Sequence, residues 1–195
     1  MEKPKYKAIV FDFFGVISSE VAPIWLEKYF SGEDITELRE KYIKPTDRGD
    51  ISENQFFDVL SSMVSTPSKE IRREWLELVV INASILELIK KLRSKYKLAI
   101  LSDTPSPFFW EIISQNKLEG LFDKVIVSSE IRMTKADVEI YKLILEDLGI
   151  LPKEAIFIDD NPANVERARS LGIKGFVFTS EIKLKTDLSS LGITE

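Results

Sequence analysis

The chain of 195 residues contains neither cysteine nor histidine. Lack of cysteine excludes disulfides, thiolate metal sites and a thiol nucleophile. Lack of histidine removes the commonest general base, the Ser-His-Asp mechanism and imidazole metal ligands. Acid–base chemistry is left to Asp, Glu, Lys and Tyr. Any metal site must be built from oxygen ligands, which favours a hard cation such as magnesium. A basic excess is also missing: 27 Lys and Arg stand against 32 Asp and Glu, for a net charge of −5. This argues against a nucleic-acid partner. It leaves phosphate-bearing small molecules open, because a bound metal can set the local field. No apolar run approaches the roughly 20 residues of a membrane span. Met1-Glu2-Lys3-Pro4-Lys5 is charged where a signal peptide would be apolar. A soluble cytoplasmic protein without a membrane partner is expected.

Hydrophobic residues make up 44% of the chain. That suffices for one good core, or a core and a small accessory domain, at roughly 150 residues per domain. The stretch Lys7 to Ile17 climbs through Ala8-Ile9-Val10-Phe11 to Asp12 and breaks at Gly15. An apolar run of this kind reads as a buried parallel strand. From residue 82 onward helix and strand patterns alternate. Strands are expected at 98–101, 124–128, 155–158 and 175–178. Helices are expected at 82–94, 106–117, 137–148, 162–171 and 180–191. Alternation of this kind implies a parallel sheet with right-handed crossovers.

Residues 18–81 differ. Their apolar residues recur at helical spacing, with breaks at Ser31-Gly32, at 44–50 and at 65–68. The expected architecture is a Rossmann-like α/β core, 1–17 and 82–195, of about five parallel strands with helices on both faces. A small cap of about four helices, 18–81, is inserted after the first strand. The first strand should be central, at the topological switch point, where open α/β sheets bind ligands.

Three strands end in polar residues that a core does not need: Asp12, Ser102 with Asp103, and Asp159 with Asp160. Lys135 lies in a loop before a helix. A parallel sheet brings its strand C-termini to one edge, so these groups can converge. Carboxylates suit a divalent ion. A hydroxyl and an ammonium suit a dianion such as phosphate.

Phe11-Asp12-Phe13-Phe14-Gly15-Val16-Ile17, Ile100-Leu101-Ser102-Asp103-Thr104, Ser128 through Tyr141 around Lys135, and Ile156-Phe157-Ile158-Asp159-Asp160-Asn161 resemble, in order, the four motifs of the haloacid dehalogenase-like (HAD) hydrolase superfamily. Arg48-Gly49-Asp50-Ile51-Ser52 matches a turn common in the branch with a helical cap. The resemblance implies a magnesium-dependent phosphohydrolase acting on a small phosphorylated metabolite. Asp12 would attack phosphorus. Asp12, the backbone carbonyl of Phe14, Asp160 and Asp159 would hold Mg2+. Ser102 would bond a phosphate oxygen, and Lys135 would neutralise charge.

One departure is plain. Phe14 stands where the family's phosphatases carry an aspartate that protonates the leaving group. Loss of such a group costs about 10²–10⁴-fold in rate. Three readings follow: a slow or selective phosphatase, a metal-independent 2-haloacid dehalogenase, or a catalytically silent binding protein. Asp103 is a candidate for the missing acid; otherwise it caps the following helix. Asn161 is expected to cap the helix that starts at Pro162. Among the tryptophans, Trp25 is the candidate lid contact, with Tyr29 and Arg48 as further cap candidates.

Overall fold

Five apolar runs form the strands β1 (Ala8–Phe11), β2 (Lys97–Ser102), β3 (Lys124–Val127), β4 (Ala155–Asp159) and β5 (Lys174–Val177). The computed structural model, which describes residues 5–193, pairs them in parallel in the order β3-β2-β1-β4-β5. β1 is central, and chain order reverses between β1 and β4. All four β1 residues are buried, because helices cover both faces. Over one face, α6 (Ala83–Leu92), α7 (Ser106–Gln115) and α11 (Glu181–Ser190) bury their apolar stripes against Ile9, Phe11, Leu98 and Ile100. Over the other, α9 (Val138–Leu148) and α10 (Pro162–Ser170) pack on Ala8, Val10, Leu101 and Phe157. A four-residue helix, α8 (Ser128–Ile131), follows β3 directly.

Between β1 and α6 every helix or strand element is helical: α1 (Ala22–Tyr29), α2 (Gly32–Leu38), a π-helical turn at Arg39–Ile43, α3 (Lys44–Arg48), α4 (Glu53–Val64) and α5 (Ser68–Glu77). The breaks near residue 31 and at 65–67 lie where the sequence puts them. The break expected at 44–50 does not. The helix runs on through Arg48 and stops at Gly49, whose φ is +82°. The wide turn accounts for the difference. It places Pro45 in the first turn of α3, where a missing N–H is harmless.

The two connections to this helical segment lie side by side. Ser18 bridges Ile81, Asn82 N–H donates to the carbonyl of Ile17 at 2.8 Å, and Ser19 N–H donates to that of Val80 at 2.9 Å. The segment also touches the rest of the chain at its far side. A Cβ on Gly49 would lie 2.6 Å from the carbonyl oxygen of Ser129, so only glycine fits that backbone approach.

Candidate active site

Register decides what meets at the sheet edge. Phe11 pairs with Ile158 and with Ile100. Asp12, one residue past β1, is therefore level with Asp159, and Ser102 stands one step further along β2. Asp12 N–H donates to the carbonyl of Ile158 at 2.8 Å, and the Asp12 Oδ1 accepts from Phe13 N–H at 2.7 Å. The ammonium of Lys135, 3% exposed, lies 2.5 Å from Asp12 Oδ2 and 2.8 Å from Asp159 Oδ2. Carboxylate oxygens of Asp12, Asp159 and Asp160 all lie within 4.8 Å of one another.

Each of these groups is held from behind. Asp159 is wholly buried and accepts from Asn161 N–H at 2.8 Å and from the Asn164 amide at 3.1 and 3.2 Å. The Tyr141 hydroxyl donates to the carbonyl of Lys135 at 2.9 Å. Asp103 accepts the Lys135 backbone N–H with both oxygens, at 2.9 and 3.1 Å, rather than capping α7. Asp160 lies against the backbone of Gly15, whose φ is +79°. A Cβ there would meet Asp160 Oδ2 at 2.5 Å. Ser102 is fully buried, and its hydroxyl has no partner among the described residues.

The cluster crowds negative charge around one cation. Burial pushes the Asp12 carboxyl well above the usual range; Lys135 pulls it back and Asp159 raises it again. Desolvation opposes charge on Lys135, but Asp12, Asp159 and Asp103 together hold its ammonium well above the ordinary lysine value. Burial, then Asp159, raises Asp160. Burial also raises Asp103, against the pull of Lys135.

A cavity of about 850 Å³ opens over this edge. Asp12, Phe14, Asp103, Lys135 and Asp160 line it from the sheet side, and Arg39, Asp47 and Arg48 from the helical segment. Glu20 faces it too. Burial and the neighbouring Asp160 raise the Glu20 carboxyl to about 7. Burial and Asp103 hold Asp47 well above the usual carboxyl range.

The sequence brings Asp12, Lys135, Asp159 and Asp160 to one place, with Asp103 and Ser102 beside them. It misplaces the tryptophan. Trp25 is buried away from the cavity, its indole donating to Glu74 at 2.7 Å, while Trp75 lines the wall. Tyr29 lies outside the cavity lining, whereas Arg48 is part of it. Asn161 caps α10, accepting from Ala163 N–H at 3.0 Å. Glu20, Arg39 and Asp47 carry no motif signal. Glu20 could have been found only as a lone acid in the first turn beyond the Ile17 strand-loop.

Residues 9–178 match the family model of the haloacid dehalogenase-like hydrolases. The chain belongs to that family. Among relatives of this hydrolase, a phosphorylated carbohydrates phosphatase of Thermotoga maritima is 28% identical over 86% of this chain and 82% of its own. A D-ribitol-5-phosphate phosphatase of Bacteroides thetaiotaomicron is 28% identical over 87% and 90%. A HAD-family enzyme from the same organism, solved with magnesium and inorganic phosphate, superposes with a TM-score of 0.76 at 30% identity, covering 92% of this chain and 98% of that one.

Proposed function

We propose that this hydrolase is a magnesium-dependent phosphatase of small phosphate esters, working through an aspartyl-phosphate on Asp12. The observation that carries the reading is the convergence of Lys135 on Asp12 and Asp159, with Asp160 alongside. The donor set fits a hard cation, since its three side chains offer only carboxylate oxygens. Asp12, Asp160 and the carbonyl of Phe14 would hold Mg2+, with Asp159 as a further ligand or a partner through water. Bound there, the metal would screen an anionic ester from an anionic nucleophile.

The chain's own residues supply the rest. Asp12 Oδ attacks phosphorus, and the ester oxygen leaves with the bonding pair. Lys135 offsets charge on Asp12 and the phosphoryl oxygens. Ser102 brings a buried donor that has no partner among the described residues. Asp103 positions the Lys135 loop by holding its N–H. Water then attacks phosphorus, releasing phosphate and restoring Asp12. We read residues 18–81 as a cap over the core, 1–17 and 82–195, that limits water at the site. The names of the Thermotoga and Bacteroides relatives support phosphate esters as the substrate class.

Dehalogenation is the second reading, favoured by Phe14 alone, because a leaving halide needs no proton. The acidic pair Asp159-Asp160 speaks against it. A panel of phosphate esters assayed with magnesium and with chelator separates the two, with Asp12→Asn as control. Phosphate release that stops on chelation and is lost in the variant is expected. Metal-independent turnover of haloacids, or a folded protein inert toward every ester, would overturn the proposal.

A further inference from the structure

We infer that the preferred ester is an aryl phosphate, whose leaving group is a phenol with its ring against Phe14. The inference rests on the phosphatase reading and names the substrate class within it.

Two observations meet in one side chain. The first is chemical. Phe14 carries no proton to give, two residues after the nucleophile. Of the other carboxyls that line the cavity nearby, Asp103 is engaged with the Lys135 N–H, while Glu20 and Asp47 stand on the loop before α1 and on α3 rather than at that position. Without a donor at that position, the barrier follows the basicity of the departing oxygen. A phenol has a pKa of about 10. An aliphatic alkoxide is nearer to hydroxide, whose parent water has a pKa of about 15.7. In the first step the Asp12 Oδ–P bond forms and the P–O(aryl) bond breaks. The electron pair stays on the aryl oxygen, which departs as phenolate and takes its proton from solvent. In the second, water adds to phosphorus, the Asp12 carboxylate leaves, and phosphate is released.

The second observation is geometric. Phe14 is half-buried and lines the cavity instead of filling the core. Its ring meets Phe13 edge-on at 5.1 Å and lies within 22° of parallel to Phe108, centroids 6.3 Å apart. Phe56, Phe57 and Trp75 extend this aromatic wall, Trp75 meeting Phe108 at 6.2 Å and Phe57 at 5.4 Å, each edge-on. Such a wall suits a flat ring by stacked and edge-to-face contact. The buried indole N–H of Trp75 has no partner among the described residues. It leaves a donor beside the wall for an acceptor on the ring. Arg39 and Asp47 line the cavity from the helical segment, available to polar substituents.

The test compares aryl phosphates of graded phenol pKa with cyclohexylmethyl and hexyl phosphates, under magnesium. The kcat/KM of the aryl esters should exceed that of the alkyl esters by at least about a hundredfold, the scale of a missing acid, and fall steeply as phenol pKa rises. Phe14→Asp should narrow that gap and flatten the dependence. Binding gives an independent readout. In calorimetry, phenylphosphonate should bind the Asp12→Asn protein at least fivefold more tightly than ethylphosphonate, and Phe14→Leu should erase that preference. Alkyl esters turned over within tenfold of aryl ones, or equal binding of the two phosphonates, would overturn the inference and leave the phosphatase reading intact. Failure of that reading looks different: no ester of either kind, nor acetyl phosphate, would be hydrolysed.

Discussion

Arg48 donates to the carboxylate of Asp137 across 2.8 Å, joining the helical segment to the loop that carries Lys135. The same carboxylate accepts Thr134 N–H at 2.9 Å, and Arg48 also donates to the carbonyl of Arg132 at 3.2 Å. One guanidinium thus spans the two sides of the cavity mouth. The Arg48 and Asp137 side chains are 38% and 30% exposed, so the pair contributes no more than about 1 kcal/mol to stability. Arg48→Met is expected to raise KM severalfold while thermal melting shifts by less than about 4 °C. A melting loss far beyond this with unchanged KM would make the contact purely structural.

Lys135 behaves oppositely. Its charge is buried between Asp12 and Asp159, and Lys135→Met would leave two carboxylates facing one another without a counter-charge. Breaking a buried pair in this way costs about 3–5 kcal/mol. Urea unfolding at pH 8 should register that loss, and the deficit should shrink at pH 5, where one carboxyl takes a proton. Equal deficits at both pH values would show that lost packing, not lost charge, is responsible.

Stability of the metal-free protein should fall as pH rises. The Glu20 carboxyl is raised to about 7 from 4.5, and Asp12, Asp103 and Asp160 are raised as well. An acid with a raised folded pKa favours folding below its unfolded value, and that advantage is lost as pH climbs through the folded value. The decline for Glu20 therefore falls between about 4.5 and 7. Magnesium should reverse it, adding about 2.7 kcal/mol at a hundredfold excess over Kd. For a chain of this size that corresponds to a melting rise of about 5–10 °C. The rise should be larger at pH 8 than at pH 5. Melting curves unaffected by magnesium at pH 8 would count against a metal site here.

Gly15→Ala should separate fold from metal binding. Its positive φ costs a side chain about 1–2 kcal/mol, and the new methyl group would displace the Asp160 carboxylate. The variant should fold, yet lose most of the magnesium-induced melting rise and phosphatase activity together. Retention of both would mean that Asp160 is no part of the site.

Much of this was legible in the residues because strands buried on both faces leave unbroken apolar runs, and such runs make terminal polar groups conspicuous. Asp12, Ser102 and Asp159 stood out for that reason, and alternation announced the parallel sheet in which a Rossmann-like core puts β1 at the centre. The helical segment was less readable. An amphipathic pattern identifies a helix but not which of its residues turns toward another element, so Trp25 and Trp75 look alike in sequence. Arg39, Asp47 and Glu20 are charged residues among many, and only tertiary packing sets them on the cavity. Pro45 was read as a breaker because nothing local announces that the preceding turn is wide.

That wide turn fixes more than the path of a helix. An α-helix advances about 100° per residue, so tightening residues 39–43 to α geometry would swing every later residue of α3 by about that angle. Asp47 would leave the cavity, Arg48 would part from Asp137, and Gly49 would no longer face Ser129. Rotational phase in α3 is thereby tied to the chemistry at the sheet edge. A single backbone turn, distant from the nucleophile in sequence, decides whether Asp47 and Arg48 reach the site.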